Sequence, residues 1–248
     1  MQIISLLYPA FILAILLVFV HAIFGLEIIK RGVIFTDLAI GQFAAIGVAV
    51  SLLLFEGHYT FILTLAFALL GALLIAVATY RVKHIEAFIG MLYALGASSI
   101  IMLLANSPQG TELFSKLQAT DILFTSGSEL WEPLLLYSTV ALLFFLFYPK
   151  LTGLYKEVLF FGLLGLTVTS SVQLAGVLVV FVLLIVPAFL ALLQSRFLKL
   201  PFAWVAGSII IIAAMIVSYF FDLPTGYTIV FVAALSGILS ALVFKELT

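Results

Sequence analysis

Four side chains near the start of this 248-residue chain carry most of its potential chemistry: His21 and Glu27, then Asp37 and Gln42. They sit in two long apolar runs, where an ionisable group costs about 2.5–3.5 kcal/mol to insert, so each needs a reason to be there. Imidazole nitrogen and carboxylate oxygen are ligands for divalent metals, and both also carry protons. His21 lies about ten residues before the turn at Arg31-Gly32 and Gln42 about as far after it; at 1.5 Å per residue both sit roughly 15 Å deep. If the two helices are antiparallel neighbours, His21 and Gln42 face each other, as pathway residues or as an interhelical hydrogen bond. Asp37 is shallower, and is either a pathway carboxylate or the ion-pair partner of a snorkelling Lys30 or Arg31. Glu27, beside the same two cations, is a plain ion-pair residue. His21 and Asp37 are thus the candidate metal ligands, with Gln42 as a further pathway residue. Asp37 and Gln42 are about 140° apart around a helix, so one small cavity cannot take both without a distortion.

Helices that cross a bilayer have to carry these groups. Hydrophobic residues make up 66% of the chain and charged residues 8%, and mean hydropathy is +1.40, a composition that would precipitate as a soluble domain. A span needs about 20 apolar residues to cross roughly 30 Å of hydrocarbon. Apolar runs fall near 6–29, 33–55, 60–80, 86–106, 132–148, 157–172, 174–194, 202–220 and 226–245. The expected fold is an all-α polytopic membrane protein, a single domain over residues 1–248 with about nine transmembrane helices, eight being the alternative count. The stretch Glu157–Gln194 is too long for one helix and should break at the Ser170-Ser171-Val172-Gln173 cluster. Residues 107–131 form the longest non-spanning segment, with a short amphipathic or re-entrant helix expected over 117–124. The first run is too long for a signal-peptide core and lacks a basic leader, so it is taken as a retained span.

Loop charges give the spans a direction. Lys30 and Arg31, then Arg81, Lys83 and His84, then Lys150 and Lys156, then Arg196 and Lys199 occupy every second gap, and Lys245 follows the last run. Short loops rich in Lys and Arg stay in the cytoplasm, which puts the N-terminus outside and the C-terminus inside. A net charge of −1 offers nucleic acid no basic footprint, and zero cysteines exclude a disulfide framework, a thiolate metal site and a Cys nucleophile. No Walker-type phosphate loop is present, so energy must come from an ion gradient or another subunit. Glu86 is expected only to favour the N-terminus of its helix, and Asp222 to cap the helix that follows it. His58 is a solvated loop histidine and His84 part of a basic anchor.

Four stretches, in order, carry a resemblance. They are Arg31-Gly32 through Gly47; Glu86-Ala-Phe-Ile-Gly90 with Ala94-Leu-Gly96; Leu174-Ala-Gly-Val-Leu-Val-Val180 leading to Leu184-Ile-Val-Pro-Ala188; and Tyr219-Phe-Phe-Asp-Leu-Pro-Thr-Gly226 followed by Ile229-Val230. Together they resemble the membrane permeases of bacterial ATP-binding-cassette (ABC) importers for zinc, manganese and iron, over nearly the whole chain. The resemblance implies a type II-like permease half that forms a homodimer. It also implies two cytoplasmic ATPase subunits and an extracytoplasmic solute-binding protein, with a divalent metal as substrate and no permanently bound cofactor. Two departures stand out. The family's second span carries an Asp and, four residues on, a His; alignment on Gly32 and Gly47 puts Leu38 and Gln42 there and displaces Asp37 by one, so a metal site would have to be rebuilt around His21. The loop ahead of the Leu174 stretch has shrunk to residues 149–157, leaving Lys150, Leu151, Thr152, Gly153 and Lys156 as the element that couples to the ATPase.

The expected function is a multi-pass permease subunit of the cytoplasmic membrane, not an enzyme, surrounded by membrane lipid and without nucleic acid as a partner. It moves zinc, manganese or iron by alternating access. Two alternatives stay open. One is an ABC permease for a metal chelate or small organic solute, which needs no Asp/His pair. The other is a secondary carrier driven by protons through His21 and Asp37.

Overall fold

In the computed structural model, which describes residues 2–105, 122 and 127–243, the apolar runs become α-helices. Nine are present among these residues: α1 (Gln2–Arg31), α2 (Thr36–Phe55), α3 (Thr60–Arg81), α4 (Ile85–Leu104), α5 (Trp131–Phe147), α6 (Gly153–Ala175), α7 (Val177–Leu193), α8 (Lys199–Phe221) and α9 (Thr225–Val243). No strand occurs among them. Seven are long and apolar enough to cross a membrane, while α5 and α7 have 17 residues each, roughly 25 Å at 1.5 Å per residue. The helix expected over 117–124 lies outside the described residues, apart from Ile122.

The break after α6 falls at Gly176, three residues beyond the expected cluster. Ser and Thr do not end this helix, because Thr167, Thr169 and Ser171 each donate their hydroxyl to the carbonyl four residues back, at 2.8 Å. A hydroxyl satisfied in that way stays in a helix. Gly176 adopts φ 86°, ψ 159°, a region open essentially to glycine alone.

The helices assort into two compact units. One contains α2, α3, α4, the end of α5 and most of α6. Here α2 and α3 form a hairpin whose turn is knitted by side chains: Ser51 Oγ bonds the His58 carbonyl (2.8 Å) and Thr60 Oγ1 (2.9 Å), and Thr60 Oγ1 donates to Gly57 O (2.7 Å). Gly47 lets the helices touch, since a Cβ there would lie 2.5 Å from the Leu63 carbonyl oxygen. Ala45, Ile46 and Ala49 of α2 pack with Ile100 and Leu104 of α4.

The other unit contains α1, the start of α5, α7, α8 and α9. Its core is built from small residues, Ala22 with Ala188, Ala191 and Ala203 around Leu26, as expected where backbones approach closely in a membrane. Gly25 of α1 sits directly on the Leu184 carbonyl of α7, and Gly207 of α8 lies against Val18 and Pro187. Trp204 stacks on Phe19 (ring centroids 5.0 Å apart) and donates Nε1–H to the Phe19 carbonyl at 3.0 Å. Asp222 is not the cap of α9. It ends α8 in the left-handed conformation (φ 51°), with its own amide bonded to Ser218 O.

Candidate functional site

Asp37 stands in the first turn of α2, two residues after the helix's N-cap, Phe35. Phe35 has no side chain able to cap, so the orphan amides of that first turn need an acceptor from elsewhere. Glu86 supplies it from the first turn of α4: its Oε1 accepts the Phe35 amide at 3.3 Å. Two helix N-termini thus each carry a carboxylate.

Neither acid is satisfied. Asp37 is 2% exposed, and neither of its carboxylate oxygens has a hydrogen-bond partner; Glu86 Oε2 is buried and also lacks one. The amides of Asp37 and Leu38 act on the Asp37 carboxylate electrostatically without reaching hydrogen-bond geometry. Buried acceptors are nearly always paired, so orphaned carboxylate oxygens at a helix end mark a place prepared for a donor or a cation. The snorkelling ion pair considered for Asp37 does not form: Lys30 instead bonds Glu27 at 3.4 Å, as the sequence suggested for Glu27.

Gln42 lies a turn and a half further along α2, 2% exposed, with Oε1 likewise unpartnered. It is buried although it points about 140° away from Asp37, because α2 is covered on nearly all sides by its neighbours. Its Cβ packs against Gly96 of α4, where any side chain would place a Cβ 2.7 Å from it. Gly96 therefore lets α4 close over Gln42. Along the α2–α4 pair the first unit thus places three oxygen donors, from Asp37, Glu86 and Gln42.

His21 belongs to the other unit, on α1. It is fully buried, and its Nδ1 lies 2.7 Å from the Leu17 carbonyl. A carbonyl can only accept, so Nδ1 carries a proton. Among the described residues no three His, Asp or Glu side chains converge on a point that could hold a metal ion. Sequence reasoning missed Glu86, which it took as an ordinary helix-end carboxylate. Its contact partner is 51 residues away in the chain, and no local signal announces it.

The segment expected to couple to an ATPase is a tight turn. The Lys150 and Leu151 amides bond the Phe147 carbonyl at 3.0 and 3.1 Å, and Gly153 opens α6 at φ 62°, four residues earlier than expected. Lys150, Thr152 and Gly153 are exposed, Leu151 is half-buried, and Lys156 lays its ammonium 4.5 Å above the Tyr148 ring. A second built turn follows α7. Gln194 clamps it by accepting the Phe197 amide at 2.7 Å and donating Nε2 to the Phe197 carbonyl at 3.1 Å, leaving Arg196, Phe197 and Leu198 exposed.

Comparison with known proteins bears on the whole arrangement. Residues 153–244 match the model of the ABC 3 transport family. The chain is 28% identical over 250 residues to the manganese transport system membrane protein MntC of Listeria monocytogenes, covering 93% of this chain and 88% of that protein. Its fold is similar to a chain of PsaBC from Streptococcus pneumoniae, solved in complex with Fab, with a TM-score of 0.78, 23% identity, and coverage of 97% and 92%. It is also similar to a transporter described as of metal-chelate type in an inward-facing conformation, with a TM-score of 0.69, 17% identity, and coverage of 96% and 85%.

Proposed function

We infer that this chain, which carries the fold and the family signature of ABC 3 transport permeases over residues 153–244, is the membrane-spanning permease subunit of an ABC metal importer. It is a multi-pass protein of the cytoplasmic membrane and a transport subunit rather than an enzyme, with ATP hydrolysis on a separate subunit. The finer reading is manganese as cargo. The observation that carries it is the orphaned Asp37 carboxylate, with Glu86 Oε2 and Gln42 Oε1 on the same helix pair. Carboxylate and amide oxygens suit Mn²⁺ better than the soft ligands that select zinc or copper, and the Listeria relative is named for manganese. In this reading Asp37 and Gln42 line the pathway.

The permease works as a homodimer, N-terminus outside and C-terminus inside, supplied by an extracytoplasmic solute-binding protein. Two cytoplasmic ATPases drive it, touching the turn at Lys150–Lys156. ATP binding closes the ATPases and switches the pathway by small rigid-body shifts of packed helices. A second reading, a metal chelate as cargo, is favoured by the displaced Asp and missing His of the second span and by the likeness to a metal-chelate type transporter.

The test is uptake into proteoliposomes that hold the permease, its ATPase and its binding protein. ATP-dependent uptake of free Mn²⁺ supports the first reading. Coupled ATP hydrolysis with movement of a chelate but of no free ion would replace it with the second.

A further inference from the structure

Where α7 ends, α8 begins and α9 finishes, Leu190, Leu193, Gln194, Phe202 and Ser240 enclose a cavity of about 260 Å³. Its wall is apolar except for the Gln194 amide and the Ser240 hydroxyl. Gln194 is already committed, donating to the Ala191 and Phe197 carbonyls and accepting the Phe197 amide. Lys199 donates its ammonium to the Gln194 carbonyl, which fixes one positive charge beside the cavity wall. Arg196 is exposed in the same turn and makes no ion pair among the described residues. Phe197, 63% exposed, stacks on Phe202 with centroids 6.0 Å apart and continues the apolar wall outward.

The cavity is smaller than the roughly 300–1,000 Å³ of pockets that enclose a whole small molecule, and its apolar walls leave water without partners. A single hydrocarbon chain fits both limits. Basic residues and an exposed aromatic at the ends of spanning helices sit at the depth of lipid headgroups, and basic pockets between such helices hold anionic ones. We propose that this cavity seats one acyl chain of an anionic phospholipid of the phosphatidylglycerol class, whose phosphate is held by Arg196 and Lys199. The inference depends on the membrane placement of the chain and not on its cargo.

The chain has no cysteine, so Ser240→Cys introduces a single thiol at the cavity. In detergent, phosphatidylglycerol at roughly ten times its Kd slows maleimide labelling about tenfold, and phosphatidylcholine does not. Adding Arg196→Gln to Ser240→Cys reduces that protection to the level given by phosphatidylcholine. Equal protection by both lipids, protection by neither, or protection that survives Arg196→Gln overturns the proposal. Protection by the ATPase subunit in place of lipid also overturns it and assigns the cavity to a protein partner. A native mass spectrum of the unaltered permease gives an independent reading: phosphatidylglycerol is retained over phosphatidylcholine, and absence of that preference counts against the site.

Discussion

Gly25 carries the contact between α1 and α7, and replacing it sets a sharp test of the packing. A Cβ at this position would run into the Leu184 carbonyl oxygen and stand 3.0 Å from the Ala188 Cβ. Carbon and oxygen settle at about 3.3 Å, so the helices must part. The obstructing atom is backbone and cannot rotate away. Overpacking costs about 1–3 kcal/mol, and Gly25→Ala belongs at the top of that range, because the shift also opens the alanine core around Ala22 and Ala188. Gly162 is the matched control: it lies inside α6 with nothing within 4 Å of its would-be Cβ. There, Gly→Ala should stabilise by about 0.5–1 kcal/mol through helix propensity alone. Unfolding of the purified protein in mild detergent, by heat or by titration with SDS, measures both variants. The account expects opposite signs and a separation of roughly 2–4 kcal/mol. Equal midpoints for Gly25→Ala and Gly162→Ala would refute the packing described for α1 and α7.

Three further substitutions probe other links. Asp37→Asn removes a buried carboxylate that has no hydrogen-bond partner, so the unfolding midpoint should hold or rise while metal uptake falls at least tenfold, by roughly 1.4 kcal/mol or more in transport free energy; a destabilised protein with normal uptake would reverse the assignment. Gly176→Ala forces a Cβ into φ 86° and should cost about 1–3 kcal/mol, read in the same unfolding assay, with no change in midpoint counting against the break at this residue. Lys150→Glu combined with Lys156→Glu should weaken co-purification of the ATPase; retention of the ATPase by this variant would move the coupling surface elsewhere.

Much of the fold was legible because membrane spans announce themselves through length and hydropathy. The expected boundaries 33–55 and 60–80 fall within three residues of α2 and α3. Backbone conformation was less legible. A polar cluster at Ser170–Gln173 suggested a break, yet the Ser171 hydroxyl is absorbed by the helix and the turn waits for Gly176. The site was half legible. The burial of His21 and Gln42 follows from their depth, whereas the part played by Glu86 depends on a contact between α4 and the start of α2 that no periodicity encodes. The closeness of Gly96 to Gln42 is hidden for the same reason.

The most direct measurement is uptake of free Mn²⁺, Zn²⁺ and Fe²⁺ into proteoliposomes containing the permease with and without its ATPase, repeated with Asp37→Ala and His21→Ala. The account predicts ATP-dependent uptake that favours Mn²⁺, absent without the ATPase and lost in Asp37→Ala. Uptake that proceeds without the ATPase, or that is indifferent to Asp37, would contradict it.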